Sequence, residues 1–420
     1  MPRQNAYSLY LVLTTVAAFM FSTAFTTSGV YRFQMAELTP LQLILVGTAL
    51  ELSVFLFEIP TGVVADLRSR RLSVIVGYVL IGCGLFLEGA FPLFATILAA
   101  QLLWGVGYTF TSGALDAWLA DELGEERLAA TYLRGAQLSR IAGFAGIFVG
   151  TALAALRLNI PFLVGGVGMV LLAVYLMLRM PETNFTPTPR GDRTTWQSMG
   201  HTFTQGLHFI RRSPLLITIL LIALVYGFSS EGLDRLWEAH LLDNFTIPGI
   251  ADLPPIYWFA IINALTTLLT LGVTELLRRR AGALDHRRAV LTIMAFNGVM
   301  VAGLLVFGLA RHFAVAVVAY VMLSTARGSF DPIFSAWVNR GIAPKVRATV
   351  LSTVGQMDAF GQVAGGPPVG VLANRYGLRA AMVAVALLLT PALALLGRAL
   401  GQPPATNGAA IATAETAGDT

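Results

Sequence analysis

At 420 residues, 56% hydrophobic, only 12% charged and with a mean hydropathy of +0.71, the chain is far from the roughly 25% charged composition of a soluble domain. Its formal charge of +5 rests on 28 basic residues, of which only Lys345 is lysine. The arginines fall in short loops between apolar runs, which argues for membrane orientation and against a nucleic-acid surface. A single cysteine, Cys83, sits inside an apolar run and excludes a disulfide framework or a cysteine metal cluster.

Apolar runs of membrane-spanning length recur at 7–31, 38–65, 72–91, 93–120, 127–155, 160–180, 214–240, 255–277, 288–310, 313–339, 346–373 and 377–399. The first run is too long for a signal-peptide core and no small-residue cleavage site follows it, so it is expected to stay as a helix. Several runs exceed the bilayer's need and permit tilt. Between the sixth and seventh lies the longest polar interruption, 181–213. It opens as a Pro/Thr/Arg linker and continues with Trp196, Met199, Phe203, Leu207 and Ile210 at helical spacing, the pattern of an amphipathic surface helix. The tail 401–420 is Ala, Thr, Gly and Pro with little to bury, and disorder is expected there.

Loops that would share a side with both termini carry most of the bases, among them Arg68, Arg70, Arg71, Arg278, Arg279 and Arg280. The opposite loops hold only Arg32, Arg157, Arg311, Arg375 and Arg379. By the positive-inside asymmetry, both termini are expected in the cytoplasm.

The two halves repeat. Asp116-Ala117-Trp118-Leu119 near the end of the fourth span has its counterpart in Ser335-Ala336-Trp337-Val338 near the end of the tenth. Ala130-Thr131 and Gln137 likewise match Ala348-Thr349 and Gln356, all at an offset of 218 or 219. The predicted organisation is therefore an all-α membrane protein of twelve transmembrane helices in two pseudo-symmetric bundles. Its segments are 1–180, a linker at 181–213, 214–400, and a cytoplasmic tail at 401–420.

Between the second and third spans runs Glu58-Ile59-Pro60-Thr61-Gly62-Val63-Val64-Ala65-Asp66-Leu67-Arg68-Ser69-Arg70-Arg71. The spacing of Gly62, Asp66, Arg70 and Arg71 resembles the loop of the major facilitator superfamily, Gly-x-x-x-Asp-Arg/Lys-x-Gly-Arg/Lys-Arg/Lys. Leu67 stands for the first base and Ser69 for the second Gly. With the internal repeat and the twelve spans, this resemblance covers about 7–399. It implies two six-helix halves rocking about a midplane site. It also implies a cytoplasmic gate of Gly62, Asp66, Arg70 and Arg71, with Asp121 and Glu122 as the acids available on the fourth helix.

Charges deep in the bilayer cost roughly 2.5–3.5 kcal/mol even on the milder insertion scale, so they must be paired, wet or functional. At 1.5 Å per residue, Glu51 lies about 20 Å into the second span, and Arg140, Arg327 and Asp358 come out at similar depths. In the resembled family, helices 2, 5, 8 and 11 meet between the halves and 1, 4, 7 and 10 line the cavity. On that basis Glu51 and Asp358 are proton-coupling candidates. Arg140 and Arg327 are substrate or counter-charge candidates, with Tyr108, Ser112 and Tyr226 as polar and aromatic lining. The competing reading is a set of fixed ion pairs holding the halves together. Glu231, Asp234, Arg235 and Glu238, on one side of the seventh span, read as a solvated vestibule or gate salt bridge. Glu88 reads as solvated near the membrane surface, and Trp118 and Trp337 as interface anchors.

No nucleotide-phosphate loop, zinc spacing or nucleophile elbow occurs in a suitable context, so neither an enzyme nor a cofactor is expected. The favoured function is a monomeric secondary transporter of the inner (plasma) membrane. It would move a small organic solute outward, with protons as the candidate driving ion. Drug/proton antiporters of the resembled family carry Arg where Gln101 stands, and a Pro-bearing motif in the fifth span that is missing here. The alternatives are an uptake porter or uniporter without proton coupling and, more distantly, a non-transporting receptor.

Overall fold

The computed structural model describes residues 2–186, 213–250, 253–280, 285–339 and 344–402. The surface helix expected around 196–210 and nearly all of the expected tail lie outside the described residues. Twelve helices account for the twelve apolar runs: α1 (Ala6–Met35), α2 (Pro40–Leu67), α3 (Arg70–Ala90), α4 (Phe94–Leu123), α5 (Glu125–Leu156), α6 (Ile160–Arg179), α7 (Pro214–Asn244), α8 (Tyr257–Arg280), α9 (His286–Leu309), α10 (Phe313–Asn339), α11 (Pro344–Tyr376) and α12 (Leu378–Leu400). All but α11 are long and apolar enough to cross a membrane by length and composition. Helix α11 has 33 residues but carries Lys345, Arg347, Asp358 and Arg375 along it.

Local chemistry sets several of these ends. Thr39 and Gln42 form a reciprocal capping box, with Gln42 Oε1 accepting from the Thr39 amide at 2.9 Å, and Pro40 opens α2. Ser69 Oγ accepts from the Leu72 amide at 2.9 Å to start α3, and Asp285 Oδ1 accepts from Arg288 at 2.7 Å to start α9. Two helices break within the span. In α1 the turn at Thr26–Thr27 separates the main helix from a restart at Ser28–Val30, which runs into a π-turn over Tyr31–Met35. In α4 the break falls at Ser112–Gly113, where Gly113 has φ +70°.

The chain forms two compact units. One comprises Met1–Arg193 with Arg235–Ala264, and the other Thr194–Asp234 with Leu265–Thr420, so α7 begins in the second and ends in the first. In the first unit α3 packs against α4 and α6, and small residues let these neighbours approach backbone to backbone. A Cβ on Gly77 would lie 2.6 Å from the Gly107 carbonyl oxygen, and one on Gly107 only 2.7 Å from that of Gly77.

Trp118 and Trp337, expected to anchor at the membrane surface, are instead 1% and 3% exposed. Each spends its indole N–H inside its own unit. Trp118 Nε1 donates to the Pro181 carbonyl at 2.6 Å, and Trp337 Nε1 donates to His286 Nδ1 at 3.1 Å. A buried indole needs an acceptor, and finding one here fixes the chain leaving α6 in one unit and the start of α9 in the other.

Candidate functional site

Three polar centres stand out, two in the first unit and one in the second. The first is the basic loop. Arg70 Nη1 pairs with the Asp121 carboxylate and donates to the Ala117 carbonyl at 3.0 Å, which ties α3 to the end of α4. Asp66 sits 3.9 Å from Arg70 with 57% of its side chain exposed. Glu122 does not meet the arginines. It accepts from the Thr183 amide (2.6 Å), the Thr183 hydroxyl (2.8 Å) and the Asn184 amide (3.1 Å). Glu182 in turn accepts from Ser69 Oγ at 2.6 Å and from the Arg71 amide at 2.9 Å, while Arg71 Nη2 donates to the Met177 carbonyl at 2.6 Å. Residues 181–185 therefore act as a strap across the basic loop, with Phe185 under the Arg70 guanidinium at 5.7 Å. Around Gly62 the space is open, with no neighbour within 4 Å of a would-be Cβ.

The second centre is buried. Arg32 Nε donates to Glu88 Oε1 at 2.7 Å, and Gln101 Nε2 donates to Glu88 Oε2 at 2.7 Å. The Tyr31 hydroxyl caps the Glu88 backbone carbonyl, and Phe162 lies 6.0 Å from the guanidinium. Glu88 is fully buried, which corrects its reading as a surface-solvated carboxylate. The depth estimate placed it near the helix end correctly but carried no information on which way it points. Asp116, in the same unit, accepts from the Tyr132 hydroxyl, and Tyr132 packs edge-on against Tyr10 at 5.9 Å.

The third centre surrounds Arg327 on α10. Its two terminal nitrogens grip both oxygens of Asp234 on α7, one at 2.8 Å, in a fork-to-fork pair. Asp331, one turn further along α10, and Asp358 on α11 lie within Coulombic reach of the same guanidinium. Gln362 Nε2 donates to Asp358 at 2.8 Å. Beside them Tyr226 stacks on Phe330 (4.3 Å between centroids, 18° between planes), and its hydroxyl accepts from Asn297 Nδ2 at 2.7 Å. Tyr226, Ser229, Ser230 and Arg327 share a cavity of about 20 Å³, space for about one water molecule. Arg327 and Asp234 remain 32% and 41% exposed, so the pair is not sealed by protein. Three carboxylates around one guanidinium, all within spans, can stay charged together only with water or further cations nearby.

The remaining candidates are dispersed. Arg140 is exposed on α5, and Glu51 is half-buried on α2. Tyr108 is 46% exposed and tilted against Trp104 at 6.3 Å. Ser112 sits at the α4 break, its amide donating to the Tyr108 carbonyl at 2.8 Å. Polar residues of the first and fourth spans mostly serve the backbone. Ser22 Oγ donates to the Gly143 carbonyl and Thr26 Oγ1 to that of Ser22, both at 2.6 Å, and Thr111 Oγ1 donates to that of Tyr108 at 2.8 Å.

Eleven helices long and apolar enough to cross a membrane among the described residues, basic loops braced by acids and ionisable residues within the helices fit a polytopic membrane transporter. The family model described as Major Facilitator Superfamily matches residues 9–362. The chain belongs to that superfamily, a family of transporters rather than of enzymes. It is 22% identical over 353 residues to the uncharacterized MFS-type transporter YxaM of Bacillus subtilis (strain 168), covering 83% of this chain and 85% of that one. Among solved structures it resembles the nucleoside transporter NupG (TM-score 0.75, 14% identity, 95% of this chain and 100% of that one). It also resembles a bacterial homolog of the human lysosomal transporter Spinster in an inward-facing, unoccupied conformation (TM-score 0.73, 14% identity, 95% and 97%). At these identities the likeness speaks for the fold.

Proposed function

We propose that this transporter moves a small organic solute outward by alternating access, coupled to protons, as a monomer in the inner membrane with both termini cytoplasmic. The observation that carries the coupling is the crowding of Asp234, Asp331 and Asp358 around the single guanidinium of Arg327. Asp234 takes the direct pair, and Asp358 on α11 is the first coupling candidate. Glu51 on α2 is the second coupling candidate. Tyr226, Arg327, Tyr108, Ser112 and Arg140 are the candidates for solute contact. The loop from Gly62 to Arg71, with Asp121, would close the cytoplasmic face, and the two halves either side of the 181–213 linker would be the rocking bodies. The outward direction rests on the Glu-Ile-Pro-Thr-Gly and Ala-Leu-Asp-Ala-Trp-Leu-Ala-Asp strings, which resemble those of bacterial exporters.

Proteoliposomes loaded with a solute found by thermal-shift screening test the coupling, since a ligand bound to the folded state raises its melting temperature. Asp358→Asn or Glu51→Gln should abolish movement driven by a pH gradient while solute counterflow survives. Driven transport unchanged in both variants would remove proton coupling through these residues. Accumulation in right-side-out vesicles alone would reverse the direction.

A further inference from the structure

The break in α1 creates a polar problem that α7 solves. After Thr26–Thr27 the helix restarts at Ser28, and the amides of a first turn have no preceding carbonyls to bond. A Thr in the N-cap position would normally supply an acceptor, yet the Thr27 side chain makes no such bond. Glu238 of α7, only 5% exposed, supplies it instead. Its carboxylate accepts from the backbone N–H groups of Gly29 and Val30. That carboxylate occupies the space where any side chain at 29 would begin, which explains Gly at that position.

One cation serves two buried carboxylates here. Arg32, one turn beyond the restart, is the cation within Coulombic reach of Glu238, but its Nε is committed to Glu88 at 2.7 Å. Its Nη2 is buried without a hydrogen-bond partner, and Arg32 as a whole is 3% exposed. The groups facing this centre are Arg32 from α1, Glu88 from α3 and Gln101 from α4, with Arg235 and His240 flanking Glu238 on α7 itself. Two buried carboxylates, Glu88 and Glu238, thus draw on the Arg32 guanidinium, an arrangement that burial makes costly.

We propose that Glu238 is a proton-binding site, distinct from Asp358 and Glu51, whose ionised form latches α7 to the restart of α1 and whose protonated form releases it. A carboxylate is a strong acceptor for two amides at a helix start, where negative charge is also favoured. The neutral acid is a weaker acceptor and removes one of the two carboxylate charges beside Arg32. Proton uptake at Glu238 therefore loosens α7 from α1 without disturbing the Arg32–Glu88 pair. The proton site and the moving contact are then the same atoms.

Hydrogen–deuterium exchange on the full-length protein in lipid nanodiscs, corrected for intrinsic rates and followed from mildly alkaline to acidic pH, tests this without any transport assay. In the wild type the segment containing Gly29 and Val30 should lose protection roughly tenfold on acidification, the weight of one such hydrogen bond. Glu238→Gln should exchange at the unprotected rate at every pH, and Gly29→Ala, whose methyl displaces the carboxylate, should do the same. Asp358→Asn should keep the wild-type response, which separates failure of this latch from failure of the coupling assigned above. A wild type with no pH response in this segment, or a Glu238→Gln variant that retains it, overturns the proposal. The wild-type titration decides even if Gly29→Ala does not fold.

Discussion

Glu88 offers the sharpest test of what holds the first unit together. Its two oxygens accept from Arg32 Nε and Gln101 Nε2, each at 2.7 Å, and both Arg32 and Glu88 are almost wholly buried. Glu88→Gln puts an amide NH₂ where one of two donors now finds an acceptor, and it leaves the guanidinium buried without its counter-charge. Breaking a buried pair in this way costs about 3–5 kcal/mol. Arg32→Met removes the cation instead and leaves a buried carboxylate, at a similar cost. Once one charge is gone the other is already uncompensated, so the two losses should not add. A double-mutant cycle read by helical circular dichroism during detergent-driven unfolding should therefore return a coupling energy of about 3 kcal/mol between positions 32 and 88. Independent sites add to within about 0.5 kcal/mol, so an additive cycle would refute the view of this pair as the unit's electrostatic keystone.

The basic loop should divide stability from function. Asp66 is exposed and 3.9 Å from Arg70, a geometry worth about 0–1 kcal/mol. Asp66→Ala should leave the melting temperature unchanged while transport falls and solute binding persists; lost binding would make the loop a folding element. Gly107→Val should prevent accumulation of folded protein, because its side chain would meet the Gly77 carbonyl, whose helix cannot retreat without unpacking α3. Normal yield and melting of that variant would show that α3 and α4 tolerate separation.

The helices were legible in the sequence because the bilayer imposes their length and composition. The family resemblance also offered Asp121 and Glu122 as the acids available to the loop arginines, and Arg70 meets Asp121. What stayed hidden were contacts that depend on which way a side chain turns. Depth along a straight helix places Glu88 near one end, but its burial follows from Arg32, which only the break at Thr26–Thr27 and the π-turn carry inward. Glu238 was grouped with Asp234 as part of a solvated face, yet four residues separate a part-exposed carboxylate from a buried one on the same helix. The signal available was Gly29, a glycine that follows Thr26, Thr27 and Ser28 within an apolar span. A glycine there is ambiguous between close helix packing and room for a partner's side chain. The strap at 181–185 was equally hidden, because Pro-Glu-Thr-Asn reads as a solvated linker until its acceptors and donors meet Ser69, Arg71 and Glu122.

The repeat is informative where its two copies disagree. Trp118 and Trp337 occupy equivalent positions, and Pro181 and Ala399 are related by the same offset of 218 or 219 residues. In the first copy the indole donates directly to the Pro181 carbonyl. In the second, His286 is interposed. An indole N–H can only donate, so His286 Nδ1 must be the acceptor and its proton must sit on Nε2, from which it donates to the Ala399 carbonyl at 3.1 Å. Both arrangements perform the same task, tying the end of the sixth helix of the copy to its fourth. The direct bond uses two groups that cannot titrate. The relayed bond adds a third, the His286 imidazole, between them. Two copies of one packing solution therefore differ in the groups that carry it, a difference invisible in the pattern of apolar runs that makes the copies look alike.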